Sequence, residues 1–264
     1  MDDSDHYTEA VGRAVDMLAA MSGWFEPVLD ALGGPGVADR QMITWLPHQW
    51  GEVATYADPC RAAITALASD CPEGVRRQDV AAVGAEHGPV ALFVAAMVFG
   101  LGDRPSGPRS VLDMLSESHV ADDSGEPIEP IRVIEGIMTG SSHVSADIAF
   151  RSLFKDGDTR VHGLNVSLGT KAIYFSALEA MPKHRALILD DFVFNGVQQV
   201  LQSGLAEPNA IALDPRKHTW SADYLQYCTW AEDVAEVERT VPEDVEVALF
   251  KLGKGEVSPP IAEL

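Results

Sequence analysis

Lys171 and Asp190 are the two side chains whose types and spacing point to chemistry in this sequence. Lys171 follows Gly169-Thr170 and has apolar neighbours: Leu168, Ala172, Ile173, Tyr174 and Phe175. Its place after the Gly-Thr pair reads as a helix start. There the positive end of the macrodipole and the apolar surroundings both favour the free amine over the ammonium. A free amine attacks electrophilic carbon. The structural alternative is a lysine that lays its stem over a helix edge and keeps its charge in water. Asp190 closes the apolar run Ala186-Leu187-Ile188-Leu189, which would half-bury its carboxylate. It is also a fair N-cap for a helix beginning at Asp191, and the two roles are compatible. Asp190 comes 19 residues after Lys171, a separation that one helix and a return loop fold back into proximity. An amine beside a carboxylate suits cleavage of an N-glycosidic bond. The carboxylate steadies positive charge on the sugar, and the amine captures the anomeric carbon as a Schiff base. The adjacent Asp191 would oppose a free amine if it also faced the lysine, so it is expected to point to solvent.

The elements that must position this pair are helical. An apolar stripe of Ala10, Val11, Ala14, Met17, Leu18 and Met21 predicts a first helix, and Gly33-Gly34-Pro35-Gly36 interrupts the chain after it. Further helices are predicted over 47–56, over 59–68 with Pro59 at a first helical position, and over 80–99 with a break available at Gly88-Pro89. The pattern continues over 109–118, 128–138, 145–154, 171–180, 191–201, 222–239 and 242–252. Strand signals are poor, with Ala186–Leu189 the one short apolar run. The expected architecture is therefore all-α, a single unit over 1–264. The acidic Gly/Pro stretch Asp122–Glu129 would join lobes 1–121 and 130–264, with a cleft between them for the site.

Composition bounds the class. The chain has 264 residues, 46% of them hydrophobic, enough to bury a substantial core. The longest apolar candidate, Pro89 to Leu101, falls short of the ~20 residues that cross a bilayer. The start Met1-Asp2-Asp3-Ser4-Asp5 is acidic where a secretory signal is basic. Cys60, Cys71 and Cys228 lack metal-ligand spacing and read as reduced thiols. Together these predict a cytoplasmic protein with no membrane partner. His143, His162 and His184 are scattered, so neither a metal nor a cofactor is expected. The net charge of −21 works against a nucleic-acid partner, whose phosphates call for a basic footprint. Its distribution softens this. From Arg151 to Leu187 six Lys and Arg face three Asp and Glu, a net of +3, with His162 and His184 in addition. The acid elsewhere reads as a solubilising surface.

Gly169-Thr170-Lys171, followed by Asp190 after Ala186-Leu187-Ile188-Leu189, resembles the catalytic core of the 8-oxoguanine DNA glycosylases. These belong to the helix-hairpin-helix glycosylase superfamily. The fuller pattern through Tyr174-Phe175 is similar to a prokaryotic branch with the 8-oxoguanine glycosylase fold. Ala96 to Gly102 and Gly107-Pro108-Arg109 are similar to that branch's other recurrent segment. The resemblance covers roughly residues 90 to 250 and implies a two-lobed helix-hairpin-helix fold, with the hairpin and catalytic segment at 160–191. It implies Lys171 as Schiff-base nucleophile and Asp190 as catalytic carboxylate. It further implies Phe175 facing an extruded base, with Gln226 and Trp230 as edge-reading amide and stacking ring. Tyr224 and Tyr227 on the same helix leave that register open, and a core tryptophan is the alternative for Trp230. Trp45, Trp50 and Trp220 are lesser candidates for the pocket. Ser167, Gly169 and Thr170 would belong to the hairpin that grips a DNA phosphate. The family turn is of the Leu-Pro-Gly-Val-Gly type; here it reads Asn165-Val166-Ser167-Leu168-Gly169, and Ser167 would tolerate a positive φ poorly.

The implied partner is DNA carrying a modified or damaged base, and the implied activity is excision of an oxidised purine such as 8-oxoguanine. Strand-cleaving lyase activity stays open. One alternative directs the same chemistry at hypermodified phage bases in antiviral defence. Another is a non-catalytic acidic binding protein, or a DNA mimic, on a glycosylase fold.

Overall fold

Apolar residues at three- and four-residue intervals govern the chain, and the computed structural model is helical almost throughout. It describes residues 25–117, 128–154, 161–177, 185–202 and 221–258. Among them the order is α1 (Phe25–Ala31), α2 (Val37–Arg40), β1 (Met42–Thr44), a 3-10 turn (Pro47–Trp50), α3 (Gly51–Tyr56), α4 (Asp58–Asp70), β2 (Gly74–Arg76), α5 (Arg77–His87), α6 (Pro89–Leu101) and α7 (Gly107–Ser116). There follow α8 (Pro130–Ser141), α9 (Ala146–Phe154), α10 (Val166–Ala177), α11 (Asp191–Gln202), α12 (Ser221–Val237) and α13 (Pro242–Gly253). The all-α expectation holds. One element escaped it: β1 and β2 pair antiparallel, with Met42 opposite Arg76, Ile43 opposite Val75 and Thr44 opposite Gly74. Three residues per strand are too few to show a period of two. The helix expected over residues 10–21 lies outside the described residues.

The chain divides into two compact units. One comprises Asp39–Asp190 with Pro215–Leu225; the other comprises Met1–Ala38, Asp191–Asp214 and Gln226–Leu264. Of the acidic stretch Asp122–Glu129, the expected junction between lobes, 122–127 lies outside the described residues. In the smaller unit Asp244 of α13 is a fully buried carboxylate. It accepts hydrogen bonds from the backbone N–H groups of Gly36 (2.7 Å) and Ala38 (2.9 Å) and from the Thr240 hydroxyl, tying the start of α2 to the C-terminal helices.

The larger unit is organised around α6. Its sequence PVALFVAAMVFGL carries no charge, and a helix apolar on every side belongs at the centre. Val90, Ala91, Phe93 to Phe99 and Leu101 are all buried, and α6 packs against α4, α5, α8 and α10. Gly88, at φ 84°, separates α5 from α6, a conformation open to glycine, and Pro89 starts the new helix. Trp45 and Trp50 are core residues here, ring centroids 6.4 Å apart, with Trp45 Nε1 donating to Cys71 O at 2.8 Å. Burial pushes the Cys60 thiol up to about 11. The three cysteines are free.

In the smaller unit α11 crosses α13 closely. A Cβ at Gly196 would strike the Leu249 carbonyl, and one at Gly253 would strike the Phe192 carbonyl. Among the described residues no helix is long and apolar enough to cross a membrane.

Candidate active site

Lys171 is buried on α10, which begins five residues earlier than the sequence suggested. Asn165 explains the earlier start. Its side-chain Oδ1 accepts from the Leu168 N–H (3.0 Å) and its carbonyl from the Gly169 N–H (2.8 Å), so it closes the first turn. Gly169-Thr170 is therefore helix interior rather than turn, and Lys171 lies in the second turn, where the macrodipole acts less strongly. The positive φ of this region belongs to Gly163 (74°), and Ser167 is helical without strain. The lysine stem lies against α6 at Gly100, where an added Cβ would sit 2.7 Å from Lys171 Cδ and 3.1 Å from Leu168 Cδ2. Gly100 thus makes the groove in which the stem runs. At its end Nζ donates to the Ser167 carbonyl (3.2 Å), the Ser167 hydroxyl (3.2 Å) and Asp190 Oδ2 (3.3 Å). The lysine side chain is 6% exposed and the aspartate 14%.

Asp190 ends a segment without regular secondary structure, 185–190, in which Ala186, Leu187, Ile188 and Leu189 are all buried. Two side chains that sequence reasoning did not assign to this task hold the segment. Thr170 is fully buried; its hydroxyl accepts the Leu189 N–H at 3.0 Å and donates to Val166 O at 2.9 Å. Tyr224 donates its phenol hydrogen to Leu187 O at 2.6 Å, and its ring stacks on Phe150 at 4.7 Å. These bonds fix the segment on either side of Ile188. Asp191, the first residue of α11, is exposed, as expected. The arrangement is a desolvated amine held against one carboxylate, with the second carboxylate turned away.

A protein-family model described as "Putative 8-oxoguanine DNA glycosylase OGG-like protein" matches residues 36–250. The chain belongs to this family. No curated protein and no solved structure matches it.

The OGG-like chain brings only some of the expected site residues together. Ser167, Lys171 and Asp190 form one hydrogen-bonded cluster, and Thr170 holds Leu189 beside it. Gly169 and Thr170 lie inside the unit rather than on a surface turn: Gly169 faces the Phe154 ring, and the Thr170 hydroxyl is occupied by Leu189. Asn165 is exposed and Ser167 half-exposed, so these form the open part of that turn. Phe175, one turn beyond Lys171, is 2% exposed and packs edge-on against Phe99 at 5.3 Å. It also lines a pocket of about 220 Å³ with Gly84, Gly88, Leu92 and Met138. Gln226 and Trp230 belong to the other unit. Gln226 is exposed, whereas Trp230 is 4% exposed and meets Phe25 edge-on at 5.9 Å, the packing of a core tryptophan. Trp220 lies outside the described residues. No group of three or more His, Cys, Asp or Glu among the described residues is arranged to hold a metal ion.

Proposed function

We propose that this chain is a DNA glycosylase that extrudes a damaged or modified base and cleaves its glycosidic bond, with Lys171 as nucleophile and Asp190 as the assisting carboxylate. The observation that carries the reading is the Nζ–Oδ2 contact of 3.3 Å between two largely buried groups, in a member of the OGG-like family. Desolvating an ion pair offsets most of its Coulombic gain, so such a pair is a poor device for stability and a good one for chemistry.

The reaction follows from the two groups. Once the ammonium has given up a proton, the Nζ lone pair bonds to C1′ as the C1′–N bond breaks. That bond's electrons leave with the base, which takes up a proton. The Asp190 carboxylate balances the positive charge that grows on the sugar. After nitrogen loses a second proton, its lone pair opens the C1′–O4′ bond and O4′ takes up a proton, leaving a protonated imine from which strand cleavage can proceed by elimination. In this reading Phe175, which lines a pocket one turn beyond Lys171, is the residue that meets the base. Of the expected hairpin residues Ser167, at the open turn that starts α10, is the one that meets the phosphate, because Gly169 and Thr170 are helix interior and the Gly169 N–H is bonded to the Asn165 carbonyl. The family description points to oxidised purines as the substrate class.

A second reading directs the same chemistry at hypermodified bases of phage DNA. The net charge of −21 favours it, because an enzyme meant for heavily modified DNA has less need to patrol ordinary duplex tightly. Both readings meet in one experiment: release of free base from duplexes carrying 8-oxoguanine, deaminated or glucosylated bases. Wild type is expected to release at least one of them, and Asp190→Asn to do so about 100-fold more slowly. A clear preference for the glucosylated duplex selects the second reading, and release from none contradicts both.

A further inference from the structure

Three acceptors surround Lys171 Nζ: the Ser167 carbonyl, the Ser167 hydroxyl and Asp190 Oδ2. An ammonium has three N–H donors and no acceptor, so this set fills it and leaves no lone pair for attack. One proton must depart, and the three neighbours differ in their ability to take it. A carbonyl oxygen only accepts a hydrogen bond. Asp190 can take the proton, but doing so removes the negative charge needed opposite the sugar. A hydroxyl carries one O–H and two lone pairs, so it can receive a proton on one side while releasing its own on the other. Ser167 is also half-exposed, whereas the lysine side chain is 6% exposed.

We propose that Ser167 is a further catalytic residue, the relay through which the Lys171 ammonium passes a proton to solvent before it attacks. In that step an Nζ–H bond breaks and its proton bonds to Ser167 Oγ. The original Oγ–H bond breaks in turn, and its proton goes to a water molecule or a buffer base. Nitrogen keeps the electron pair, the hydroxyl is regenerated, and the net change is one proton moved from Nζ to solvent. The i, i+4 relation supplies the geometry, since residues four apart on α10 share a face. Substitution at Ser167 leaves the helix start intact, because the cap is Asn165.

The inference rests on Lys171 being the nucleophile, and its test needs no DNA. Labelling of Lys171 by glycolaldehyde with cyanoborohydride, located by peptide mass spectrometry, reads the amine's availability directly. The wild-type rate is expected to be independent of imidazole concentration. Ser167→Ala is expected to label about tenfold more slowly and to recover as imidazole is raised. Ser167→Thr, which keeps the hydroxyl, is expected to stay near wild type. An unlabelled wild type, an unchanged rate in Ser167→Ala, or a slow rate that imidazole fails to restore would overturn the relay. If the expected pattern holds while no duplex yields free base, the relay stands and the glycosylase reading falls.

Discussion

At the scale of single residues, the constraint that bears on Lys171 most directly is the absence of a side chain at Gly100. The Lys171 stem occupies the space a Cβ would need, 2.7 Å from Cδ, so Gly100→Ala must move the lysine or separate α6 from α10. A lysine stem yields more readily than two packed helices. The expected cost is therefore about 1 kcal/mol of stability, with Schiff-base formation slowed about 100-fold by misplacement of Nζ. Paired urea unfolding and trapping rates check this; a full trapping rate at unchanged stability would show that the groove does not hold the lysine. The pairing of Lys171 with Asp190 was legible in the sequence, because residue type, spacing and an apolar run before the aspartate all agreed. The groove was not, since a glycine in a helical run gives no sign of which neighbour fills its space.

At the scale of elements, the site depends on a segment, 185–190, without regular secondary structure. Its backbone is instead bonded by side chains: Leu189 N–H by Thr170 and Leu187 O by Tyr224. Thr170→Val keeps the volume but leaves the Leu189 N–H buried without that partner, at a cost of about 1–3 kcal/mol. Thr170→Ser keeps the hydroxyl and is expected to lose much less; urea midpoints at equal m-values test the difference. Periodicity found most of the helices but set the start of α10 at Lys171 rather than Val166. The misleading signal was Gly169-Thr170, which reads as punctuation and is in fact helix interior packed on the Phe154 ring. Lys171 therefore sits beyond the first turn, where the macrodipole is weaker and its hydrogen-bond partners are the nearer influence. The short ribbon of β1 and β2 was illegible for lack of length, and Tyr224 was illegible because its bond reaches across 37 residues.

At the scale of the whole molecule, the −21 charge sets how the chain meets DNA. The segment from Arg151 to Leu187 is the cationic exception, at a net of +3. Neutralising about three phosphates gives a slope of log affinity against log salt of about −3, shallow for a duplex-binding protein. Fluorescence anisotropy across a salt series measures it, and a slope of zero would favour an acidic protein that does not engage phosphate. The central claim is that Lys171 is the nucleophile, and borohydride trapping on base-modified duplexes tests it most directly. Wild type should yield a covalent protein–DNA adduct that maps to Lys171, and Lys171→Gln should yield none. An adduct of equal yield in Lys171→Gln, or one mapping to another residue, would contradict the account.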